Sequence, residues 1–511
     1  MSRAVCRKGL QGQSHPGTRE VDETLEPWRD APMAVLQIPT QLTSPKTSAW
    51  DRLAGFLEAR RTAGKPAADF EAFERELHEM FMAAEAEAIG EELERFDLDA
   101  PEVLIDGVPH RRVLRCPQTY LTASGAVSVM RSLYSTRQDG ERAVCPMELG
   151  GGILEGFWTP RAAKQATWAV THLTPQESEE MLVLLGGMSP SRSILDRLPK
   201  QLSERWEADR TAFEAQLRAG ERVPQEAATV AVSLDGVMVP MKDGERRAKR
   251  EQAAAEEKHL RGPFGHQEVG CATLTFYDKY GIRLRTIRLG RMPESKKMTL
   301  KAILKAELTA ILCERPDLKL VKIADGARDN WTYLSEALPK GREIVDFYHA
   351  AEHLHAAVAA AYGETSLKCQ TQSAKLRHVL RHDLKGAAKV IRALIHLRDC
   401  HPRSRKIAAE LRYFRRNRRR MRYATWARAK LPIGSGVTEA ACKTLVTQRM
   451  KRSGMRWRHA GGQAILTLRG WAQSERFDRG WELLAATYKK AVTLPNKVTP
   501  LPKRRPAGVS V

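Results

Sequence analysis

Two aspartates at the ends of apolar stretches have the positions expected of metal ligands. Asp235 occurs in SLDGVMVP and Asp325 in KIADGARDN, and a glycine follows each of them directly. A carboxylate at the end of a buried strand projects into the crevice where α/β sheets bind ligands, and glycine lets a phosphate or a backbone approach. Taken singly, each Asp-Gly pair could equally be a turn. On adjacent strands the two would repel each other unless a cation lay between them, and oxygen ligands favour Mg²⁺ or Mn²⁺.

A third candidate carboxylate is Glu439, in the segment PIGSGVTEAACKTLVTQRMKRSGMRW. A glycine-serine-glycine stretch precedes it, and Ser435 can cap a helix that has Glu439 in its first turn. An acid in a first turn is also favoured by the helix dipole alone, without any catalytic role. The basic residues that follow favour a surface that contacts a polyanion. They are Arg449, Lys451 and Arg452.

The composition favours a nucleic acid as the partner. The 511 residues include 84 lysines and arginines against 61 acids, which gives a formal net charge of +23. Such an excess of positive charge attracts polyanions. When lysines and arginines neutralise phosphates, the counterions of the nucleic acid are released, which favours binding. No apolar run approaches the roughly 18 residues of a membrane span, and no signal-peptide core is evident. The eight widely spaced cysteines predict a reduced, cytoplasmic protein without structural disulfides.

The elements that must position the three acids alternate in a definite order within residues 225–349. We predict strands at 228–235, 267–277, 282–289, 318–324 and 343–347, with helices at 294–313 and 331–338. This order predicts an α/β fold whose sheet is mixed, because two of the strands form a hairpin. Residues 431–490 should add the final helices of this core, at 439–453 and 461–484.

Other regions flank this core. We expect disorder over residues 1–45, an acidic helical region with a possible dimer element over 46–100, small β-hairpins over 101–150 and a disordered basic tail over 491–511. Within residues 151–224, the sequence pattern predicts helices at 160–172, 175–185 and 190–205. The short glycine-containing turn before the last of them fits a helix-turn-helix, with Arg192 and Arg197 facing DNA. An ordinary three-helix subdomain fits equally well, and only the basic composition favours DNA binding.

Residues 350–430 are rich in helix formers and contain no strand candidate. Between residues 401 and 430 there are twelve lysines or arginines and a single acid, Glu410, with aromatic residues interleaved. Aromatic stacking combined with guanidinium contacts is how distorted or single-stranded nucleic acid is held. A solvated basic surface is the alternative. The candidate DNA contacts are Arg415, Arg416, Arg418, Arg419, Arg420 and Trp426.

Several blocks carry a resemblance to one family. VSLDGVMVPM, KIADGARDNW, IVDFYHAAEHL and the segment around Glu439 resemble bacterial insertion-sequence transposases of the ISKra type. Upstream, VCPMELGGGILEGFWTPRAAKQATWAVTHLTPQE and MSPSRSILDRL resemble the N-terminal region of that family. The resemblance runs from about residue 105 to 485, with the blocks in the same order. It implies a DDE transposase of the ribonuclease H-like superfamily, whose mixed sheet carries a helical insertion and follows a mainly helical DNA-binding region.

The resemblance also implies roles for single residues. Asp235, Asp325 and Glu439 match the catalytic carboxylates, which would hold two Mg²⁺ ions that Mn²⁺ can replace. Asp346 and His349 in DFYH match an accessory D-x-x-H signature. His349 could touch DNA, orient a group of the site, or simply form a hydrogen bond beside the sheet. Trp426 lies in the insertion and could stack on a flipped base, with core packing as the alternative.

The implied activity is DNA transposition. The protein would bind the terminal inverted repeats of double-stranded DNA, hydrolyse a phosphodiester and join the new 3′ hydroxyl to target DNA by transesterification. We expect a homodimer or larger assembly on DNA, no membrane, and a cytoplasmic location at the bacterial nucleoid. Two alternatives remain open. A regulator derived from a transposase would bind DNA without cutting it, and a metal-dependent nuclease would cut without strand transfer.

Overall fold

The computed structural model describes residues 48–136, 142–242, 252–256 and 265–495. The expectations for residues 1–45 and 496–511 lie outside them. The strands are β1 (Glu102–Ile105), β2 (Val108–Thr122), β3 (Gly125–Ser135), β4 (Ala227–Pro240), β5 (His266–Asp278), β6 (Arg283–Arg291), β7 (Lys319–Ala324), β8 (Arg342–Val345) and β9 (Val492–Thr493).

The helices before the insertion are α1 (Ala49–Thr62), α2 (Phe70–Arg95), α3 (Pro146–Gly151), α4 (Pro160–His172), α5 (Pro175–Leu184), α6 (Arg192–Ala208), α7 (Arg210–Ala219), α8 (Met298–Glu314) and α9 (Arg328–Glu336). Those of the insertion are α10 (Phe347–Tyr362), α11 (Leu367–His382), α12 (Gly386–Cys400), α13 (Arg405–Asn417) and α14 (Tyr423–Arg428). The last are α15 (Gly436–Ala441), α16 (His459–Gln473) and α17 (Phe477–Ala486).

Strands β4 to β8 form a mixed five-stranded sheet in the order β6-β5-β4-β7-β8. β4, β5 and β6 pair antiparallel, whereas β4, β7 and β8 run parallel. The hairpin between β5 and β6 turns on Asp278, whose carboxylate accepts the backbone N–H groups of Tyr280 at 2.9 Å and Ile282 at 2.8 Å. The predicted mixed α/β arrangement is therefore confirmed.

Helices cover both faces of this sheet. On one face, a side chain at Gly270 would meet Leu300 of α8, and Lys322 of β7 donates to the carbonyl oxygen of Leu334 in α9. On the other face, the hydroxyls of Thr273 in β5 and Thr438 in α15 lie 2.7 Å apart. α15 continues through a π-helical turn at Cys442–Thr447, a feature that often occurs at functional sites.

A second, antiparallel sheet has the order β3-β2-β1-β9. Its hairpins turn where predicted, with Gly107 at φ +80° and Gly125 at φ +129°, values that glycine adopts without strain. β9 pairs with β1 through Val492 and Thr493. The expected disordered tail from residue 491 therefore starts with an ordered strand, because its apolar residues add to an existing sheet edge.

The C-terminal helices differ from the sequence prediction. The single helix expected at 461–484 is broken between α16 and α17, where Glu475 has φ +61° and the Ser474 hydroxyl accepts the N–H of Arg288 at 2.8 Å. Both helices share a hydrophobic core with α4, α6 and α7, and the rings of Trp206 and Trp471 meet edge to face at 4.5 Å. The N-terminal helical region is thus packed against the final helices.

The acidic helix predicted at 70–93 is α2, and the helices predicted at 160–172, 175–185 and 190–205 correspond to α4, α5 and α6. α2 leaves Phe70 and Phe81 exposed, and its part in a dimer stays a prediction. Residues 347–428 are helical, as predicted. Among the described residues, each helix is too short or too polar to serve as a transmembrane span.

Candidate active site at the end of the parallel strands

Strand register brings three aspartates to one edge of the five-stranded sheet. Ser233 pairs with Ile323, and Ile323 pairs with Ile344. Residues two positions apart on a strand share a face, and neighbouring strands lie about 4.8 Å apart. Two positions beyond this row stand Asp235, Asp325 and Asp346. Asp325 and Asp346 follow the ends of β7 and β8, whereas Asp235 lies inside β4, which continues to Pro240 and does not end at 235 as predicted. Asp346, expected only as an accessory residue, has the same register as the two candidate ligands.

Asp235 faces the helix that carries Glu439. One carboxylate oxygen, Oδ1, accepts the N–H of Gly236 at 2.7 Å, and Oδ2 lies 3.7 Å from the Cys442 thiol. Cys442 follows Glu439 by three residues, so the two lie on neighbouring positions of one helix face. The helix thus spans the sheet next to Asp235.

Glu439 is half-exposed at the mouth of this crevice. Its Oε1 accepts the Ser435 hydroxyl at 3.5 Å, so Ser435 does not cap the helix through its side chain as expected. Burial raises the pKa of Glu439, and the carboxylates of Asp346 and Asp235 raise it further, while His349 opposes them. Like charges therefore converge around Glu439.

Asp325 ends β7 in a tightly bonded turn. Its Oδ1 accepts the N–H of Ala327 at 3.1 Å and the Asn330 amide at 3.2 Å, and its carbonyl accepts the Trp331 indole N–H at 2.6 Å. These bonds fix the carboxylate at the junction of β7 and α9.

Gly326 has a different role from the one expected. A side chain here would collide with the ring of Tyr413, so glycine admits α13 of the insertion. Arg416, on the same helix, donates to the Gly326 carbonyl at 3.1 Å. The Tyr413 hydroxyl is buried and finds no hydrogen-bond partner within the described part of the chain, and burial together with Asp325 and Asp346 raises its pKa. The insertion therefore contributes directly to this edge of the sheet.

Asp346 is buried and joins α10 to the segment before Glu439. Its Oδ1 accepts the N–H of His349 at 2.7 Å and faces His349 Nδ1 at 3.3 Å, while Oδ2 accepts the N–H of Ser435. Burial alone would raise the pKa of Asp346, but the hydrogen bonds from His349 and Ser435 outweigh it and lower the pKa. The carboxylate is thus ionised and engaged by the backbone.

His349 is the cation that faces Glu439. Its hydrogen bond to Asp346 raises its pKa to about 9, against the effect of burial, and Nδ1 lies 3.9 Å from Glu439 Oε1. Among the described residues, Asp346, His349 and Glu439 form a group whose ligand atoms all lie within 4.8 Å of one another, close enough to share a metal ion. At neutral pH the imidazolium offsets part of the negative charge.

The donor set suits a hard divalent cation. Carboxylate oxygens prefer Mg²⁺ or Mn²⁺, and the pKa of Glu439 is raised first by burial and then by Asp346 and Asp235. Asp346 already uses both oxygens in hydrogen bonds to backbone groups. Among the described residues, Glu439 forms a group at ligand distances with Asp346 and His349, and the structure does not bring Asp235 and Asp325 into that group.

Most of the predicted DNA contacts lie on the surface. Arg192 begins α6, where its N–H bonds Glu179 Oε1 at 3.0 Å and its side chain stays exposed, and Arg197 is exposed on the same helix. The exposed residues farther along the chain are Arg415, Arg416, Arg418, Arg419 and Lys451. These side chains are accessible to a polyanion.

Two predicted contacts are buried, which corrects the expectation for them. Arg449 is 3% exposed and lies 5.3 Å from the ring centre of Trp457, and burial lowers its pKa to about 10. Trp426 is 9% exposed and lies 5.5 Å from the guanidinium of Arg342. Both side chains are part of the packing and out of reach of DNA in this conformation, so Trp426 does not offer a face to a flipped base.

Two further predicted contacts are occupied by protein partners. Arg420 bonds Glu343 at 2.8 Å and lies over the ring of Trp331 at 4.1 Å. Arg452 forms an ion pair with Glu177 of α5 at 2.6 Å. Arg420 therefore links the insertion to β8, and Arg452 links α5 to the segment that follows α15. Neither charge is free for a phosphate.

The turn between α5 and α6 is held by the neighbouring elements. Gly186 and Gly187 have φ +81° and +86°, and a side chain at Gly187 would meet the carbonyl of Ala123 between β2 and β3. A side chain at Gly186 would meet His78 of α2. The turn thus packs against α2 and the β2–β3 hairpin, and Arg192 and Arg197 in the first half of α6 face solvent.

Some residues at the site were not predicted from the sequence. Cys442 had a local signal, since it follows Glu439 by one turn, and Tyr413 lies inside the arginine-rich run. Lys297, whose Nζ donates to the Asp235 carbonyl at 3.3 Å, had none, because this contact joins residues 62 positions apart.

A scan of the chain against protein-family models finds no match, and a search among curated proteins finds none either. The site is therefore interpreted from its own geometry.

Proposed function

We propose that this chain is a DDE transposase with a ribonuclease H-like core. The observation that carries the proposal is the equal register of Asp235 and Asp325 on adjacent parallel strands, with Glu439 on a helix across the same face. The sheet order β6-β5-β4-β7-β8, with three antiparallel strands followed by two parallel ones, supports the same core. The sequence blocks that resemble ISKra-type transposases contain all three residues.

The proposed reaction has two displacements at phosphorus. In the first, water attacks the phosphodiester at the end of the element and leaves a 3′ hydroxyl. In the second, that hydroxyl attacks a phosphodiester of target DNA and displaces a strand end. Bound Mg²⁺ would supply the activated nucleophile and neutralise the leaving oxygen.

The residues of the chain would position these groups. Asp235 is fixed within β4 and Asp325 at the end of β7, and Glu439 approaches from the helix. Asp346 holds the segment before Glu439 through the N–H of Ser435 and orients His349 toward it. Rigid placement of this kind lowers the entropy cost of an in-line displacement.

The exposed arginines of the insertion would contact the DNA backbone next to the crevice. Arg416 is bonded to the residue after Asp325, and Arg418 and Arg419 are exposed two and three positions beyond it. The first half of α6, with Arg192 and Arg197, would contact the element ends. We propose double-stranded DNA as partner, bound by two or more copies of the chain.

The test uses the full chain and DNA fragments from both sides of its own gene. Purified protein is incubated with labelled fragments and Mg²⁺ or Mn²⁺, beside Asp235→Asn and Glu439→Gln variants. We expect metal-dependent nicks and joined products from the native chain and neither from the variants. Cleavage without joining would indicate the nuclease, and specific binding without cleavage would indicate the regulator.

A further inference from the structure

Three lysines lie near Asp235, just beyond the point where β4 stops pairing with β7. Lys297 donates to the Asp235 carbonyl at 3.3 Å and pairs with Glu268 at 2.9 Å. Lys296 is exposed next to it, and Lys301 follows one turn into α8. We call these three residues the lysine cluster. It lies on the α8 face of the sheet, whereas the side chains of Asp235 and Glu439 lie on the α15 face.

The cluster carries positive charge that its neighbours do not fully compensate. Burial lowers the pKa of Lys301, and repulsion from Lys297 lowers it further, with Asp329 opposing. The Nζ of Lys301 lies 5.4 Å from the ring centre of Tyr333. Because Glu268 pairs with Lys297, the outer charges are those of Lys296 and Lys301.

The backbone holds the lysines in an unusual conformation. Lys296 and Lys297 have φ +51° and +54°, in the left-handed region that non-glycine residues rarely adopt. This turn presents Lys296 to solvent and directs Lys297 to the Asp235 carbonyl of β4. A glycine would relieve the backbone but would provide no charge.

A second basic group occupies the end of the neighbouring strand. Arg416 bonds the Gly326 carbonyl after β7, as Lys297 bonds the Asp235 carbonyl in β4. Cationic side chains from two unrelated elements therefore reach the backbone at both aspartates. A polyanion that crosses this edge of the sheet would pass between them.

We propose that Lys296 and Lys301, with Lys297 paired to Glu268 between them, form a phosphate-binding surface that holds the backbone of a DNA strand beside Asp235 of β4. The inference rests on the proposed function, since it names where DNA would lie beside the candidate site. The lysines would contribute to affinity for any DNA sequence, because phosphate contacts carry no base information.

The test compares two double variants of the full chain. Lys296→Gln with Lys301→Gln removes the outer charges and leaves Lys297, which touches Asp235, in place. The control, Lys319→Gln with Lys340→Gln, removes the same charge from exposed lysines at the opposite ends of β7 and β8. Binding of a short fluorescent duplex is measured by anisotropy from about 50 to 200 mM salt.

We expect the cluster variant to lower affinity by about tenfold or more at 0.1 M salt, and to flatten the plot of log affinity against log salt by about 0.9 per lost contact. The control should keep the native slope. An unchanged slope in the cluster variant, or an equal loss in the control, would overturn the inference. Equal thermal melting of both variants excludes misfolding.

This experiment distinguishes a failure of DNA binding from a failure of DNA cleavage. A native chain that binds the duplex but never cuts DNA would contradict the proposed function, while the salt plots would still decide on the lysines. A native chain that binds no DNA would overturn both.

Discussion

Two groups of charged side chains lie against the five-stranded sheet, and they differ in how their charges are compensated. Around Arg476, which is 3% exposed, both terminal nitrogens bond Glu307 at 3.0 and 2.9 Å, and Nε bonds Glu221 at 2.7 Å. Burial alone would lower the pKa of Arg476, but the two carboxylates outweigh it and raise the pKa. Opposite charges are matched in this group.

The candidate site has the opposite balance. Carboxylates converge beside the carboxyl ends of β7 and β8, with Asp235 on the neighbouring β4, and the pKa of Glu439 is raised by burial and by its acidic neighbours. A matched group stabilises the fold by itself, whereas an unmatched one is the usual mark of a site that binds something. The comparison predicts that changes in the first group affect stability and changes in the second affect activity.

The largest effect should come from Asp325→Asn. We expect a loss of about 10³-fold or more in metal-dependent cleavage, the scale seen when a charge-stabilising group is removed, with DNA affinity retained. Strand scission of a labelled duplex measures it. Asp317→Asn, an exposed aspartate paired with Arg315 at the other end of β7, is the matched control and should keep native activity.

Arg476→Met should act on stability instead. Removing the guanidinium leaves Glu307 buried without its partner, which costs about 3–5 kcal/mol of unfolding free energy. Urea denaturation measures the loss, and Arg479→Met, an exposed arginine on the same helix, should cost little. A small effect at Arg476 would mean that the matched group does not stabilise the fold as the comparison requires.

Divalent metal should stabilise the native chain by binding to the carboxylates of the candidate site. At a concentration 100 times the dissociation constant, Mg²⁺ or Mn²⁺ bound only to the folded state adds about 2.7 kcal/mol. Thermal unfolding with and without metal should show the rise in the native chain and not in a double Asp235→Asn, Asp325→Asn variant. An equal rise in both would place the metal elsewhere.

The smallest effect should be the pH dependence contributed by His349. Its pKa is raised from 6.5 to about 9 in the folded chain, so its stabilisation is fully present below pH 6.5 and is lost as the pH rises through about 9. Because the side chain is partly exposed, we expect about 1 kcal/mol or less. Without divalent metal, urea titrations of the native chain and His349→Gln should converge across this interval, and parallel curves would contradict the assignment.

Residues 225–349 could be predicted closely because their signals are local. Period-two alternation, a hairpin turn at Asp278 and glycines after Asp235 and Asp325 are encoded within a few positions. The break after α16 had no comparable signal, since Ser474 ends the helix by bonding Arg288 of a distant strand. Likewise Gly326 was expected to admit a phosphate, and only the packing of α13 shows that it admits Tyr413.

The sequence alone determined the types of the chemical groups and the order of the elements that carry them: acids after apolar strands, a basic helical insertion, and a glutamate in the first turn of a late helix. Only the tertiary structure decided which charges meet. Arg418 and Arg449 are alike in the sequence, yet one is exposed and the other is buried against Trp457. Pattern and propensity act over a few neighbouring residues, whereas burial and ion pairing depend on contacts between segments far apart in the chain.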